Sequence, residues 1–70
     1  MMEYRLYERE DRSHPLVARS FDDQFAAEQW ARSWAANSGS AKDYDIEAAD
    51  LSYSARLFRT IEGQWYIMTT

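Results

Sequence analysis

Residues 20–37 read SFDDQFAAEQWARSWAAN, and this stretch decides the fold. It opens on capping residues, runs about four turns on good helix formers, and stops before Gly39. At 100° per residue, Ala27, Trp30, Ala31 and Trp34 fall within one stripe about 100° wide. Two tryptophans one turn apart among alanines predict a large flat plug, and a plug needs a sheet to close. Ser20 with Asp23 three residues on resembles a capping box, and Asp22 is an equally good N-cap. Asp22 and Asp23 also place negative charge at the positive end of the helix dipole. Asn37, Ser38 and Gly39 end the helix, with Gly39 able to take the left-handed conformation.

The flanking segments alternate. In residues 3–10, Glu3, Arg5, Tyr7 and Arg9 share one face, while Met2, Tyr4 and Leu6 share the other, which predicts a half-buried strand with the second set inward. DRSHP at 11–15 supplies turn formers, and Pro15 pushes His14 towards an extended conformation. Residues 16–20 predict a short second strand, pairing with the first as a hairpin. Beyond a short loop at 40–42, Tyr44, Ile46 and Ala48 alternate with Asp43, Asp45 and Glu47 in a third strand. Asp50 marks a bend or bulge. After it, Leu51, Tyr53, Ala55 and Leu57 share one face, and Ser52, Ser54, Arg56 and Phe58 the other. Ile61-Glu62-Gly63 predicts a three-residue hairpin loop with Gly63 in the left-handed region. Leu57 then lies opposite Ile67 and Arg59 opposite Trp65, with Phe58 opposite Tyr66 and Arg56 opposite Met68. A two-residue loop would shift that register. The expected architecture is one α+β domain over residues 1–70, β-β-α-β-β, an antiparallel sheet with one helix packed on one face.

A chain of 70 residues has room for one thin core. It contains no cysteine, so no disulfide supports that core. Three tryptophans, five tyrosines and three phenylalanines compensate, because each buries a large apolar area. The lack of cysteine suits a reducing cytoplasm. No apolar run approaches the roughly 18 residues that a membrane span needs, and the charged, alternating start lacks the apolar core of a signal peptide. The expectation is a soluble, cytoplasmic protein. Twelve acidic against eight basic residues give a net charge of −4, which argues against direct nucleic-acid binding. Seven of the eight basic residues are arginine. That choice favours surfaces built for contact, although a GC-rich coding sequence is the simpler account.

No catalytic, cofactor or metal constellation emerges. His14, the lone histidine, sits in a turn beside Pro15 and reads as solvent-exposed. A zinc site needs about four close-spaced ligands. The acidic run at 43–50 lacks the glycine that turns a calcium loop. Paired carboxylates need a pocket to separate their pKa values, and a two-layer domain of this size seldom encloses one. The expected protein is not an enzyme and holds no cofactor.

Three surface features remain. Asp43, Asp45 and Glu47 form a row of carboxylates about 6–7 Å apart along one strand face. The row reads either as a mimic of nucleic-acid phosphates or as a face paired with neighbouring arginines. Arg5, Tyr7 and Arg9, with Arg56, Phe58, Tyr66 and Met68, make up the open face of the sheet. These residue types are enriched in protein interfaces, and this face is the first choice for a partner surface or a dimer seam. Phe25 lies about 180° around the helix from Trp34, near Glu28, Gln29 and Arg32. It either folds over the sheet edge or, if exposed, is a contact residue. The candidate partner-binding set is therefore Arg5, Tyr7, Arg9, Phe25, Arg32, Asp45, Glu47, Arg56, Phe58 and Tyr66.

The strand EYRLYER, the capped helix, the next strand and the closing hairpin ARLFRTIEGQWYIM together resemble small phage-encoded anti-CRISPR proteins that act on type I CRISPR surveillance complexes. The resemblance is one of element order and size across most of the chain. It implies a non-enzymatic inhibitor that binds a Cas subunit in the host bacterial cytoplasm and blocks target DNA binding or nuclease recruitment. An acidic inhibitor meeting a basic channel would also gain association rate through electrostatic steering. The alternative is a small homo-oligomeric structural or adaptor protein whose open sheet face is its own dimer interface.

Overall fold

Alternation at period two becomes strand wherever one face can be buried. In the computed structural model, which describes residues 1–39 and 42–69, this produces five strands and one helix among those residues. In chain order they are β1 (Met2–Glu8), β2 (Val17–Phe21), α1 (Gln24–Asn37), β3 (Tyr44–Ala48), β4 (Ser54–Arg59) and β5 (Trp65–Thr69). All pairings are antiparallel, in the order β2-β1-β3-β4-β5. The domain is α+β as expected, but the element order is β-β-α-β-β-β.

The extra strand comes from the segment around Asp50. The chain reverses there and does not merely bend. Ala48 N–H donates to Tyr53 C=O across the reversal, and Asp50 Oδ1 accepts from both the backbone and the hydroxyl of Ser52. Leu51, expected on the buried face, stands at the tip of this turn with φ 64° and is 74% exposed. The closing hairpin follows its expected register: Leu57 faces Ile67, Arg59 faces Trp65, Phe58 faces Tyr66 and Arg56 faces Met68. Thr60 N–H donates to Gln64 C=O, and Gly63 N–H donates to Thr60 C=O. Gly63 has φ 87°, a conformation that costs a residue with a side chain about 1–2 kcal/mol.

The helix starts later than the capping-box reading placed it. Ser20 and Phe21 belong to β2, and the N-cap is Asp23, whose side chain accepts from Ala26 N–H at 2.8 Å. Asp22, the other candidate, stays exposed outside the cap. Asn37 is the last helical residue, Ser38 caps the end, and Gly39 takes φ 72°. The loop read at 40–42 lies largely outside the described residues.

The centre of the helix–sheet contact is alanine, not tryptophan. Ala27, Ala31 and Ala35, four residues apart, are fully buried over the sheet. Small side chains let the helix approach closely. Trp30 and Trp34 are only half-buried at the margin of that stripe, Trp30 against Phe21 and Trp34 edge-on to Tyr44. Beneath lie Tyr4, Leu6, Tyr44, Ile46, Ala48, Ala55 and Leu57. Burying Leu6, Ile46 or Leu57, the largest fully enclosed side chains, contributes about 1.5–3 kcal/mol each. Among the described residues, no helix lies over the opposite face of the sheet.

Candidate partner-binding face

Strand alternation puts the residues between the core positions onto this open face. The register then sets them in cross-strand rows. One row runs Tyr7, Asp45, Arg56, Met68, and the next runs Arg5, Glu47, Ser54. Phe58 and Tyr66 pair beside them with ring centres 6.2 Å apart. Eight of the ten candidate residues therefore meet on one surface: Arg5, Tyr7, Arg9, Asp45, Glu47, Arg56, Phe58 and Tyr66. Phe25 and Arg32 do not join them, because they lie on α1, which packs on the other side of the sheet. Phe25 does not fold over the sheet edge; it is 68% exposed.

The two halves of the open face differ in character. On β1 and β3 the charges are matched. Arg12, presented by the β1–β2 turn, donates from Nη1 to Asp45 and from Nη2 to Glu47. Its guanidinium also lies over the Tyr7 ring, 5.3 Å from the centroid. Burial alone would lower the pKa of Arg12, but hydrogen bonds and charges from Glu47 and Asp45 outweigh it and raise it above the ordinary arginine value. Asp45 is left 8% exposed, so it is a covered carboxylate and not a solvated one. Nearby, Arg9 pairs with Asp43 at 3.5 Å, Lys42 with Glu8 at 2.8 Å, and Arg5 with Glu3 at 2.7 Å. Hydrogen bonding to Glu3 raises the pKa of Arg5, and hydrogen bonding to Glu8 raises that of Lys42. The carboxylate row is thus laced with cations, which is the paired-face alternative and not a free row of phosphate-like charge.

On β4 and β5 the face is apolar. Phe58 is half-buried, while Tyr66 and Met68 stand 46% and 60% exposed. Arg56 stands on β4 between Asp45 and Met68 in register, and its Nε is buried without a hydrogen-bond partner among the described residues. Unpaired buried donors are uncommon and costly, and this one lies beneath the surface of the face and not on it.

Arg12 is the residue that sequence reasoning missed. Its turn is built by Asp11, whose Oδ1 accepts from Ser13 backbone and hydroxyl, and these bonds hold the Asp11 carboxyl below its ordinary pKa. The same Asp-X-Ser arrangement forms the β3–β4 turn at Asp50 and Ser52. Each turn carries one residue at its middle: Leu51 stands out in solvent, whereas Arg12 folds back onto the open face. The repeated DRS and DLS triplets were the available signal.

At the helix start, Tyr53 donates its hydroxyl to Glu28 at 2.7 Å. Burial first, and then this bond to a carboxylate, push the Tyr53 hydroxyl pKa well up. Leu51, two residues before Tyr53, and Phe25, three before Glu28, are both exposed. Among the described residues, no group of three or more His, Asp or Glu side chains is arranged to hold a metal ion. No described helix is long and apolar enough to cross a membrane. Comparisons with protein families, curated proteins and solved structures returned no match.

Proposed function

We propose that this chain is a non-enzymatic protein-binding domain that acts as a stoichiometric inhibitor, docking through the β4–β5 half of its open sheet face. The observation that carries the reading is the contrast across that face. Ion pairs saturate the β1–β3 half, whereas Tyr66 and Met68 stand exposed beside the half-buried Phe58. Aromatic, methionine and arginine side chains are the types that anchor protein interfaces. The resemblance in element order supports a Cas subunit of a type I CRISPR complex as the partner, with target DNA binding or nuclease recruitment blocked in the host cytoplasm.

The test is a pull-down with the tagged protein from cells expressing type I complexes, washed at high salt. Capture of a Cas subunit, lost with Phe58→Arg and kept with Glu3→Gln, is the expected result. Absence of any Cas subunit removes the inhibitor reading. Capture that survives Phe58→Arg moves the surface elsewhere, with Phe25 and Leu51 next to be mutated.

The same apolar patch also favours a second reading, a homo-oligomeric adaptor joined through the open face. Concentration-dependent mass in light scattering that Phe58→Arg abolishes would support it.

A further inference from the structure

The two edges of the sheet are unlike. The β2 edge carries Arg19 and follows Pro15 in the loop before it, although it is no shorter than the β5 edge, five residues in each. Such charge and proline placement blunts edge-to-edge pairing. β5, WYIMT, has no charge, proline or glycine, and among the described residues nothing pairs with its outer side. Antiparallel partners alternate between hydrogen-bonded and non-bonded pairs. Thr60 and Gln64 form a bonded pair, so Phe58–Tyr66 and Arg56–Met68 are bonded pairs too. Trp65, Ile67 and Thr69 consequently direct their N–H and C=O groups away from β4, towards the free edge.

We propose that β5 is the seam of a homodimer, pairing antiparallel with β5 of a second copy about a two-fold axis at Ile67. The strand fits itself in this register. Ile67 meets its own counterpart, and each Trp65 meets a Thr69, so all three outward residues fall in hydrogen-bonded pairs. Tyr66 of one copy then lies beside Met68 of the other on the open face, a favourable sulfur–aromatic pairing. Because the strand is uncharged, no like charges meet at the axis despite the acidic net charge of each copy. An unrelated extended segment could also use the main-chain groups, but it would not be bound to supply this side-chain match. The seam lies at the strand edge, so it differs from an interface through the open face and does not depend on the inhibitor reading. Pairing would place the two Tyr66–Met68 patches side by side and present one surface of double extent.

Light scattering across a concentration series tests the seam. The expected mass is twice the 8.3 kDa of the chain at high concentration. Thr69→Pro deletes one outward N–H, a change that edge strands tolerate, and is expected to return the protein to monomer with an unchanged circular dichroism spectrum. The chain has no native cysteine, so single cysteines report the register. Ile67→Cys is expected to form a disulfide-linked dimer on mild oxidation, and Met68→Cys is not. A monomer at every concentration overturns the proposal. So does a dimer that Thr69→Pro leaves intact, and if Phe58→Arg dissociates that dimer, the seam is the open face. A Cas subunit bound by a strict monomer would sink the seam and leave the inhibitor reading standing.

Discussion

Arg12 and Asp45 are 33 positions apart in sequence, yet the guanidinium of one seals the carboxylate of the other against the open face of the sheet. Asp45 depends on that contact, because it is largely covered while Arg12 remains 42% exposed in its side chain. Removing a partner from a fully buried pair costs about 3–5 kcal/mol. Solvent access to Arg12 reduces this. Arg12→Ala is therefore expected to destabilise the domain by about 1–2 kcal/mol in urea unfolding. Arg12→Lys should recover less than half, since a single ammonium cannot span two carboxylates and lie flat over Tyr7. An Arg12→Ala protein as stable as the parent would show that the clamp contributes nothing net.

The alanine stripe sets the distance between helix and sheet. Ala31 is fully buried at its centre. Ala31→Leu is expected to cost about 1–3 kcal/mol by overpacking. Ala36→Leu, on the exposed side of α1, should stay within about 0.5 kcal/mol of the parent. Equal effects at the two sites would contradict the packing described.

Leu51 combines two unfavourable features, a left-handed backbone and an exposed apolar side chain. Glycine takes that backbone freely. Leu51→Gly is expected to raise stability by about 1 kcal/mol, which for a domain of this size moves the thermal midpoint up by about 4–8 °C. Gly63→Ala, at φ 87°, should move it the other way by a similar amount. A loss of stability in Leu51→Gly would mean that the Leu51 side chain makes a stabilising contact.

Tyr53 is expected to make stability fall at alkaline pH. Burial, and then the hydrogen bond to Glu28, raise its hydroxyl above the ordinary value of 10.0. The native state thus holds this proton more tightly than the unfolded chain does. The stabilisation is complete below pH 10 and is lost as pH rises from there towards the folded value. Thermal midpoints measured from pH 8 to 11.5 should fall more steeply in the parent than in Tyr53→Phe, which has no proton to lose. Parallel curves would rule out this linkage.

Local pattern determined much of the fold. Residues 2–8 and 44–48 alternate cleanly, so their strands and inward faces were legible without any partner. The β4–β5 register followed from loop length, because a three-residue loop with Gly63 admits one pairing. The body of the helix and its Gly39 stop were legible for the same local reasons, but its start at Gln24 with Asp23 as cap was not. The reversal at Asp50 was not. A one-residue change of phase fits a bulge as well as a turn, and nothing about leucine announces a left-handed residue. Nor could periodicity say that alanines would hold the centre of the helix contact while the tryptophans lined its margin. That depends on how closely the two layers approach. The open face divides the same way. Alternation grouped Arg5, Tyr7, Arg56, Phe58 and Tyr66, but only the packed β1–β2 turn brings Arg12 onto Asp45 and Glu47. Such a pairing is set by distance in space, which the order of residues along a chain does not contain.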